Sequence, residues 1–449
     1  MNRQDESSWT WVKVLALALP LAFGALPAGV TADDTLTRPE GSDCAVDIAS
    51  AARASIVVRP YRPTRAYDLD AEGRPVPLEL TPATGAATSQ AVLSYPYPQR
   101  HPGAPSGFGQ LATRSFVYDD TLYALERTMA GDHATARAVL STLRMLQRPD
   151  GAIGFSFDVA KDGFYNAGYV RAGVVAFSVY ALAKYQLETE DRSLADAAFA
   201  GGHWLLGQRD PELGLIRAGY GRWSRGGFDP TFPADFVVTE HQIDAFFAFL
   251  ALAKLDPHGP WLGAATKLRE AMLGVLWMTK EQRFAQGWSR ELGLDTGSAL
   301  DSSGTWGALF LHGIGHRGAA LRALAWVDRR HSIELDGWFG LRPFAGELPR
   351  TWFVEGSVAY AIAVHRLGQA SGAEVLRARG EALLREIDAL ACEGGVPLVY
   401  SPRWIEDFPL TPAAAPTLWY LFALAETREG QTPFLWSESL ATEVYSLRP

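Results

Sequence analysis

The sequence predicts an all-α fold: six helical hairpins closed into an (α/α)6 toroid, preceded by an irregular N-terminal arm. Three observations carry this. Helices apolar nearly all round alternate with amphipathic helices. A Gly-containing loop returns after the amphipathic helices, giving a helix–helix–loop unit of roughly 50 to 70 residues, the sign of stacked helical hairpins. The apolar helices also share polar first turns. A helix apolar on every side must be covered on every side, and an amphipathic partner covers it from outside. Periodicity alone leaves an open helical solenoid as the alternative to a closed ring.

The chain has 449 residues, 48% of them hydrophobic and 20% charged, enough apolar material for a large core. Its net charge is -9, and no basic patch with interleaved aromatics occurs, which argues against a nucleic-acid partner. Trp, Tyr and Phe number 14, 15 and 22; such residues build cores and also line sugar clefts.

Residues 1–32 read as an export signal. Lys13 precedes "VLALALPLAFGALPAGV", and Val30-Thr31-Ala32 fits small-x-small cleavage before Asp33. Asp5 and Glu6 offset Arg3 and Lys13, so an uncleaved membrane anchor is the alternative. The reading is a periplasmic or secreted protein with no membrane span after cleavage. Residues 33–112 hold many prolines; "YPYPQRHPGAPSGFG" excludes a regular helix or central strand and reads as an arm over one end of the main domain. Residues 113–449 form the toroid. Cys44 and Cys392 either bridge the arm to the late part of the fold or stay as thiols, and their separation gives no zinc signature.

Within the toroid, the apolar helices are "DDTLYALERTMA", "YVRAGVVAFSVYALAKYQL", "EHQIDAFFAFLALAKL", "GTWGALFLHGIG", "VEGSVAYAIAVHRLG" and "PTLWYLFALAE". Their amphipathic partners are "DHATARAVLSTLRMLQ", "DRSLADAAFAGGHWLLGQ", "LGAATKLREAMLGVLW", "HRGAALRALAWVDRR" and "AEVLRARGEALLREIDAL", with "ESLATEVYSL" as a weak sixth. If the apolar helices line a funnel, their starts share one end. The polar residues there are Tyr118, Asp119 and Asp120 on the first; Asn166, Tyr169 and Arg171 before the second; and Glu240, His241 and Asp244 on the third. Asp301 and Trp306 open the fourth, Trp352 and Glu355 the fifth, and Trp404, Glu406 and Asp407 precede the sixth.

An Asp at a helix start often only caps it, which competes with a chemical role for Asp119 and Asp301. Glu caps poorly, so Glu240 and Glu355 point more strongly to chemistry. Glu240 and Asp244 stand one turn apart and repel, which raises both pKa values, while the helix N-terminus lowers them. Two carboxyl groups, one protonated and one ionised, are what glycoside hydrolysis needs; in inverting enzymes they stand roughly 6.5 to 9.5 Å apart, leaving room for water. Flanking aromatics can stack on sugar rings. There is no GxSxG, GxGxxG, P-loop or HExxH, and the nine histidines show no metal-ligand spacing. The reading therefore includes no cofactor and no metal.

"YDDTLYAL", "LQRPDGAIGFSF", "TEHQIDAFFAF", "LDSSGTWGAL" and "WFVEGSVAYA" resemble a bacterial group within the six-hairpin glycosidase superfamily, over about residues 116 to 426. The resemblance implies the (α/α)6 toroid. It is less specific for activity, because that superfamily includes inverting hydrolases, polysaccharide lyases, epimerases and phosphorylases. The paired histidines usual in the epimerases are not evident. The expectation is an exported inverting glycoside hydrolase on a polysaccharide or oligosaccharide, such as a β-glucan. Glu240 would be the general acid, and Asp120 or Glu355 the base. Asp119, Asp244 and Asp301 would support them or bind sugar hydroxyls. Tyr118, Tyr169, Trp306 and Trp352 would form subsites, with His241 and Arg171 as polar contacts. A lyase on the same fold, with Arg171 neutralising a uronate, and a non-catalytic polysaccharide-binding or assembly protein are the alternatives.

Overall fold

The computed structural model describes residues 47–61, 66–69, 74–78, 89–96, 111–160, 168–224, 227–346, 350–391, 395–401 and 410–437. The export signal, Cys44, Cys392, Asn166, Trp404, Glu406, Asp407 and the stretch "ESLATEVYSL" lie outside the described residues.

A short helix, α1 (Ile48–Ser55), comes first. Inner and outer helices then alternate: α2 (Val117–Met129) with α3 (His133–Leu146), α4 (Ala172–Thr189) with α5 (Ala195–Gly207), and α6 (Thr239–Leu255) with α7 (Trp261–Ala271). The fourth inner helix is in two pieces, α8 (Leu300–Gly304) and α9 (Trp306–Gly313), followed by α10 (Arg317–His331). Next come α11 (Val354–Ser371) with α12 (Glu374–Ala391), and finally α13 (Ala414–Thr427).

The two kinds of sequence give two kinds of burial. α6 buries every residue but His241 and Lys254. The outer helix α12 buries only Gly380, Leu383, Leu384, Ile387 and Ala391, one stripe at helical spacing. Each fully buried aromatic, such as Phe246, Phe247 or Phe249, contributes on the order of 2 kcal/mol through area removed from water.

The ring is closed. α2 packs on α4, α4 on α6, α6 on α9, α9 on α11, α11 on α13, and α13 returns to α2. That last contact separates the toroid from the open solenoid that periodicity allowed. The sixth outer position is filled from the other end of the chain: α1 packs against α12 and α13, and the Arg53 guanidinium meets Glu126 of α2 at 3.1 Å. The boundary drawn at 112/113 thus does not detach the arm, part of which completes the ring.

A collar of short antiparallel strands feeds the inner helices. Arg114–Phe116 pairs with Ser156–Asp158, Val170–Arg171 with Gly219–Ser224, Val237–Val238 with Gly287–Ser289, and Trp352–Phe353 with Val399–Tyr400. A single bridge, Ala299 to Phe344, does the same at the fourth. At the sixth, the arm enters: Ser94 N donates to Arg114 O at 3.0 Å, and Ala414 N donates to Ser94 O at 2.9 Å. Chains leaving a strand run straight into each inner helix, so the N-caps are Phe116, Arg171, Val238, Ala299, Phe353 and Ala413, none with a side-chain cap.

Beyond α13 the chain turns back into the axis of the ring. The Trp436 ring centroid lies 5.7 Å from that of Phe177, 5.9 Å from Phe247, 4.9 Å from Trp306 and 5.7 Å from Trp419. Those four rings belong to α4, α6, α9 and α13.

Candidate functional site

The collar end of the ring gathers five carboxyl groups. Asp119 comes from α2, Glu240 and Asp244 from α6, Asp301 from α8 and Glu355 from α11, all within the first two turns. Their negative charges act on one another across helices. Asp301 raises Glu240, Asp244 and Glu355, and Asp119 raises Glu355.

Burial is the first cause of every shift here. It pushes Glu240 up to about 8, with Asp301 adding to the rise and hydrogen bonds from Ser302 opposing it. Asp301 is pushed up to about 7, opposed by the Thr305 hydroxyl, which donates at 2.9 Å. Asp119 also rises to about 7, opposed by the Ser94 hydroxyl. Asp244 and Glu355 rise well above the carboxylate range. The contest at Glu240 between helix N-terminus and desolvation therefore goes to desolvation and charge repulsion. Neither Asp119 nor Asp301 caps its helix, which removes the structural explanation that competed for both.

Glu355 has a fixed polar partner. Trp419 Nε1 donates to the Tyr118 hydroxyl oxygen at 2.7 Å, and the Tyr118 O–H donates to Glu355 Oε1 at 3.1 Å. Because the indole N–H can only donate, it turns the phenolic hydrogen towards Glu355. On the far side, Gly173 lets α4 approach α6: a Cβ there would collide with His241 Cδ2 and stand 3.2 Å from Asp244 Oδ2. His241 Nδ1 and Asp244 Oδ1 have no hydrogen-bond partner among the described residues. Burial, and then the positive charge of Arg171, lower His241 to about 3, so its imidazole is neutral.

Tyr118, Asp119, Glu240, His241, Asp244, Asp301, Trp306 and Glu355 are thus brought to one end of the ring. Four other expected site residues are not used in that way. Asp120 has no accessible surface, against 5%, 8%, 8% and 9% for Asp119, Glu240, Asp301 and Glu355. Its Oδ1 accepts from Val92 N at 2.7 Å and its Oδ2 from the Ser115 hydroxyl at 2.8 Å, so it ties the arm to α2. The Arg171 guanidinium donates to the carbonyls of Val170 and Tyr220, both at 2.8 Å, and Gly221 at 3.0 Å, which leaves it holding the collar rather than facing a ligand. Tyr169 lies under that guanidinium, 3.9 Å from its ring centroid, and packs on Phe155. Trp352 is 1% exposed, gives its Nε1 to the Ser357 hydroxyl at 2.9 Å, and lies so close on Gly340 that a Cβ there would collide with its ring.

Sequence reasoning missed Tyr95, Trp419 and Trp436. Tyr95 feels the charges of Asp119 and Glu355 and comes from the arm. Trp419 stacks on Trp306 with centroids 5.7 Å apart. Trp419 sits on an inner helix without an acid in its first turn, and neither Tyr95 nor Trp436 lies on an inner helix, so polar first turns could not reveal them. Among the described residues no group of three or more His, Cys, Asp or Glu side chains is arranged to hold a metal ion, and no helix is long and apolar enough to cross a membrane.

No family model matches the sequence, and no curated protein is significantly similar to it. Solved structures do match in fold. A cellobiose 2-epimerase from Bacillus thermoamylovorans B4167 superposes with a TM-score of 0.57 at 10% identity, over 70% of this chain and 88% of that one. A D-mannose isomerase gives 0.54 at 12% identity, over 71% and 88%. The GH63 mannosylglycerate hydrolase of Thermus thermophilus, in complex with glucose, gives 0.50 at 16% identity, over 70% and 93%. The chain shares the (α/α)6 toroid fold with these structures. At these identities the likeness is one of fold; the chemistry must be argued from the site.

Proposed function

We propose that this chain is an exported carbohydrate-active enzyme, a glycoside hydrolase that cleaves a polysaccharide or oligosaccharide by inverting displacement. The observation that carries the reading is the set of five buried carboxyl groups on four inner helices, with no basic side chain among the causes that set their pKa values. Glu240 keeps its proton to about 8 and is the general acid that protonates the leaving glycosidic oxygen. Glu355, once ionised, is the base that takes a proton from the attacking water, although burial and the charges of Asp301 and Asp119 hold its proton on well above the carboxylate range. The Trp419–Tyr118 relay supports that role, because a donated hydrogen bond favours the ionised form against burial. α6 and α11 are separated in the ring by α8 and α9. That separation suits an acid and a base with a water between them. Asp301, between them in the ring, modulates both, and Asp119 and Asp244 bind sugar hydroxyls. Export rests on the N-terminal sequence.

The test is a screen of the purified protein against a polysaccharide panel, reading reducing ends and the anomeric form of the first product, with Glu240→Gln and Glu355→Gln alongside. Full activity in both variants would sink the assignment. A second reading, sugar epimerisation, has one observation in its favour, a neutral His241 close to Asp244, although a pKa lowered to about 3 makes that imidazole a weak base. Deuterium entering the sugar from heavy water without loss of chain length would favour it. A lyase is less well supported, since Arg171 is occupied by carbonyls; unsaturated products absorbing in the near ultraviolet would restore it.

A further inference from the structure

At the sixth entry of the collar the ring brings no acid: α13 opens with Ala414, Ala415 and Pro416. Its neighbours in the ring are α11, which carries Glu355, and α2, which carries Asp119. The arm enters at this sector. Ser94 is buried and stitched to both sides of it. Its N–H donates to Arg114 O at 3.0 Å, its carbonyl accepts from Ala414 N at 2.9 Å, and its hydroxyl oxygen accepts from Phe116 N at 2.8 Å. The hydroxyl hydrogen, turned away from that N–H, goes to the Asp119 carboxyl. The arm is thus locked to α2 and α13 one residue before Tyr95.

Tyr95 is held by its ring and not by its hydroxyl. The ring stands edge-on to Phe116 with centroids 6.1 Å apart, and the same contact continues to Phe155 at 5.7 Å and on to Tyr169 at 5.3 Å. Pro96 narrows the backbone freedom of the residue before it. The hydroxyl makes no hydrogen bond to a described residue. A structural tyrosine spends that group on a partner, as Tyr180 does on Phe434 O and Tyr118 on Glu355. Burial, and then the charges of Asp119 and Glu355, hold the Tyr95 proton on well above its ordinary range, so the group remains a donor beside two acids. Tyr95 is half-buried, whereas Asp119 and Glu355 are buried. It therefore stands outward of them, where a ligand reaching the acids passes.

We infer that Tyr95 is a substrate-contacting, specificity-determining residue supplied by the arm: its O–H donates to a saccharide oxygen lodged between Asp119 and Glu355. A carboxylate accepts and a phenol donates, so the group that satisfies both at once is a hydroxyl, which does each. An ether or carbonyl oxygen answers only the phenol. The arm is thereby a working part of the site as well as the filler of the sixth sector. The inference rests on reading the acids as a saccharide site; its binding consequence does not require that the saccharide be cleaved.

The experiment measures binding of cellotetraose, mannotetraose and chitotetraose to the full chain by calorimetry, and turnover by mass spectrometry of the products. Tyr95→Phe keeps the ring on Phe116, so the fold and the melting temperature are retained. At least one tetraose binds the unaltered chain, and Tyr95→Phe weakens it by about three- to ten-fold, the worth of one neutral hydrogen bond. Where that tetraose is cleaved, kcat/KM falls by a similar factor. Monodeoxy versions of it locate the contact. At one position the missing hydroxyl costs the unaltered chain about three-fold or more beyond what it costs Tyr95→Phe, whose donor is already gone; elsewhere the losses add. Unchanged affinity in Tyr95→Phe, losses that add at every position, or no binding of any of the three tetraoses overturns the inference. Tyr95-dependent binding without cleavage leaves it standing and removes the hydrolase reading. Cleavage with an unchanged kcat/KM in Tyr95→Phe does the reverse.

Discussion

At the lower end of the ring, Arg366 grips the buried carboxylate of Glu426 through two hydrogen bonds, 2.7 and 2.8 Å long, and Glu126 is held by Arg53 at 3.1 Å and Arg127 at 2.5 Å. At the upper end, Asp119, Glu240, Asp244, Asp301 and Glu355 are as deeply placed, and what shapes their titration is one another, hydroxyl donors and burial. Both ends belong to the same helices. The difference teaches how a fold separates two uses of a buried acid. Paired with a guanidinium, the acid is a fastening. Left among other acids, it holds a proton that can be given away.

Swapping the acid at each end is the sharpest way to break this comparison. Glu240→Gln removes the proton donor and is expected to lower turnover by roughly 10²- to 10⁴-fold, the usual worth of a positioned general acid. Its thermal midpoint should hold or rise, since an unpaired buried acid is lost. Glu426→Ala strands the Arg366 charge and should cost roughly 3–5 kcal/mol of stability in a denaturant titration. A Glu240→Gln protein that keeps full turnover, or a Glu426→Ala protein that keeps full stability, would erase the distinction.

The pH dependence comes next in size. Glu240, Asp119 and Asp301 hold protons in the fold to about 8, 7 and 7, against ordinary values of 4.5, 3.8 and 3.8. Between those limits the folded chain binds more protons than the unfolded one. The stability this contributes is therefore complete below about pH 4 and is lost as pH rises through 7 to 8. The melting temperature followed over pH 5 to 8.5 should fall, and the Glu240→Gln, Asp301→Asn double variant should fall less. Turnover should also decline above about pH 8, as Glu240 loses its proton. An unchanged slope in the double variant would mean these acids titrate normally.

The smallest expected effect separates neighbours in sequence. Asp120→Ala leaves the Val92 N–H unsatisfied and should cost roughly 1–3 kcal/mol of stability while the folded fraction keeps its turnover. Asp119→Asn should change turnover with little change in stability. The opposite pattern would exchange the roles assigned to the two.

Much of this was legible in the sequence. The inner helices announce themselves by being apolar all round, and four of them carry their acids in the first turns, so Glu240, Asp301 and Glu355 could be named together. Asp119 and Asp120 show the limit. Both stand in "YDDTL", one residue apart, and local pattern does not say which turns towards the axis and which towards the arm. Trp352 and Tyr169 fail for the same reason: an aromatic residue beside the collar reads alike whether it faces the site or packs behind a strand.

What the sequence by itself determined is the set of helices, their sorting into inner and outer, and the end of the ring that carries the acids, because periodicity and first-turn chemistry are local properties of the chain. Tertiary structure alone decided the rest. It closed the ring by bringing Ala414–Thr427 back to Val117–Met129, filled the sixth outer position with Ile48–Ser55, tied Asp120 and Arg171 to backbone, and brought Trp436 to the axis more than three hundred residues away from Asp119. The physical reason is that desolvation and charge repulsion, which set these pKa values, depend on what surrounds a side chain in space, and the neighbours here come from several inner helices and from the arm.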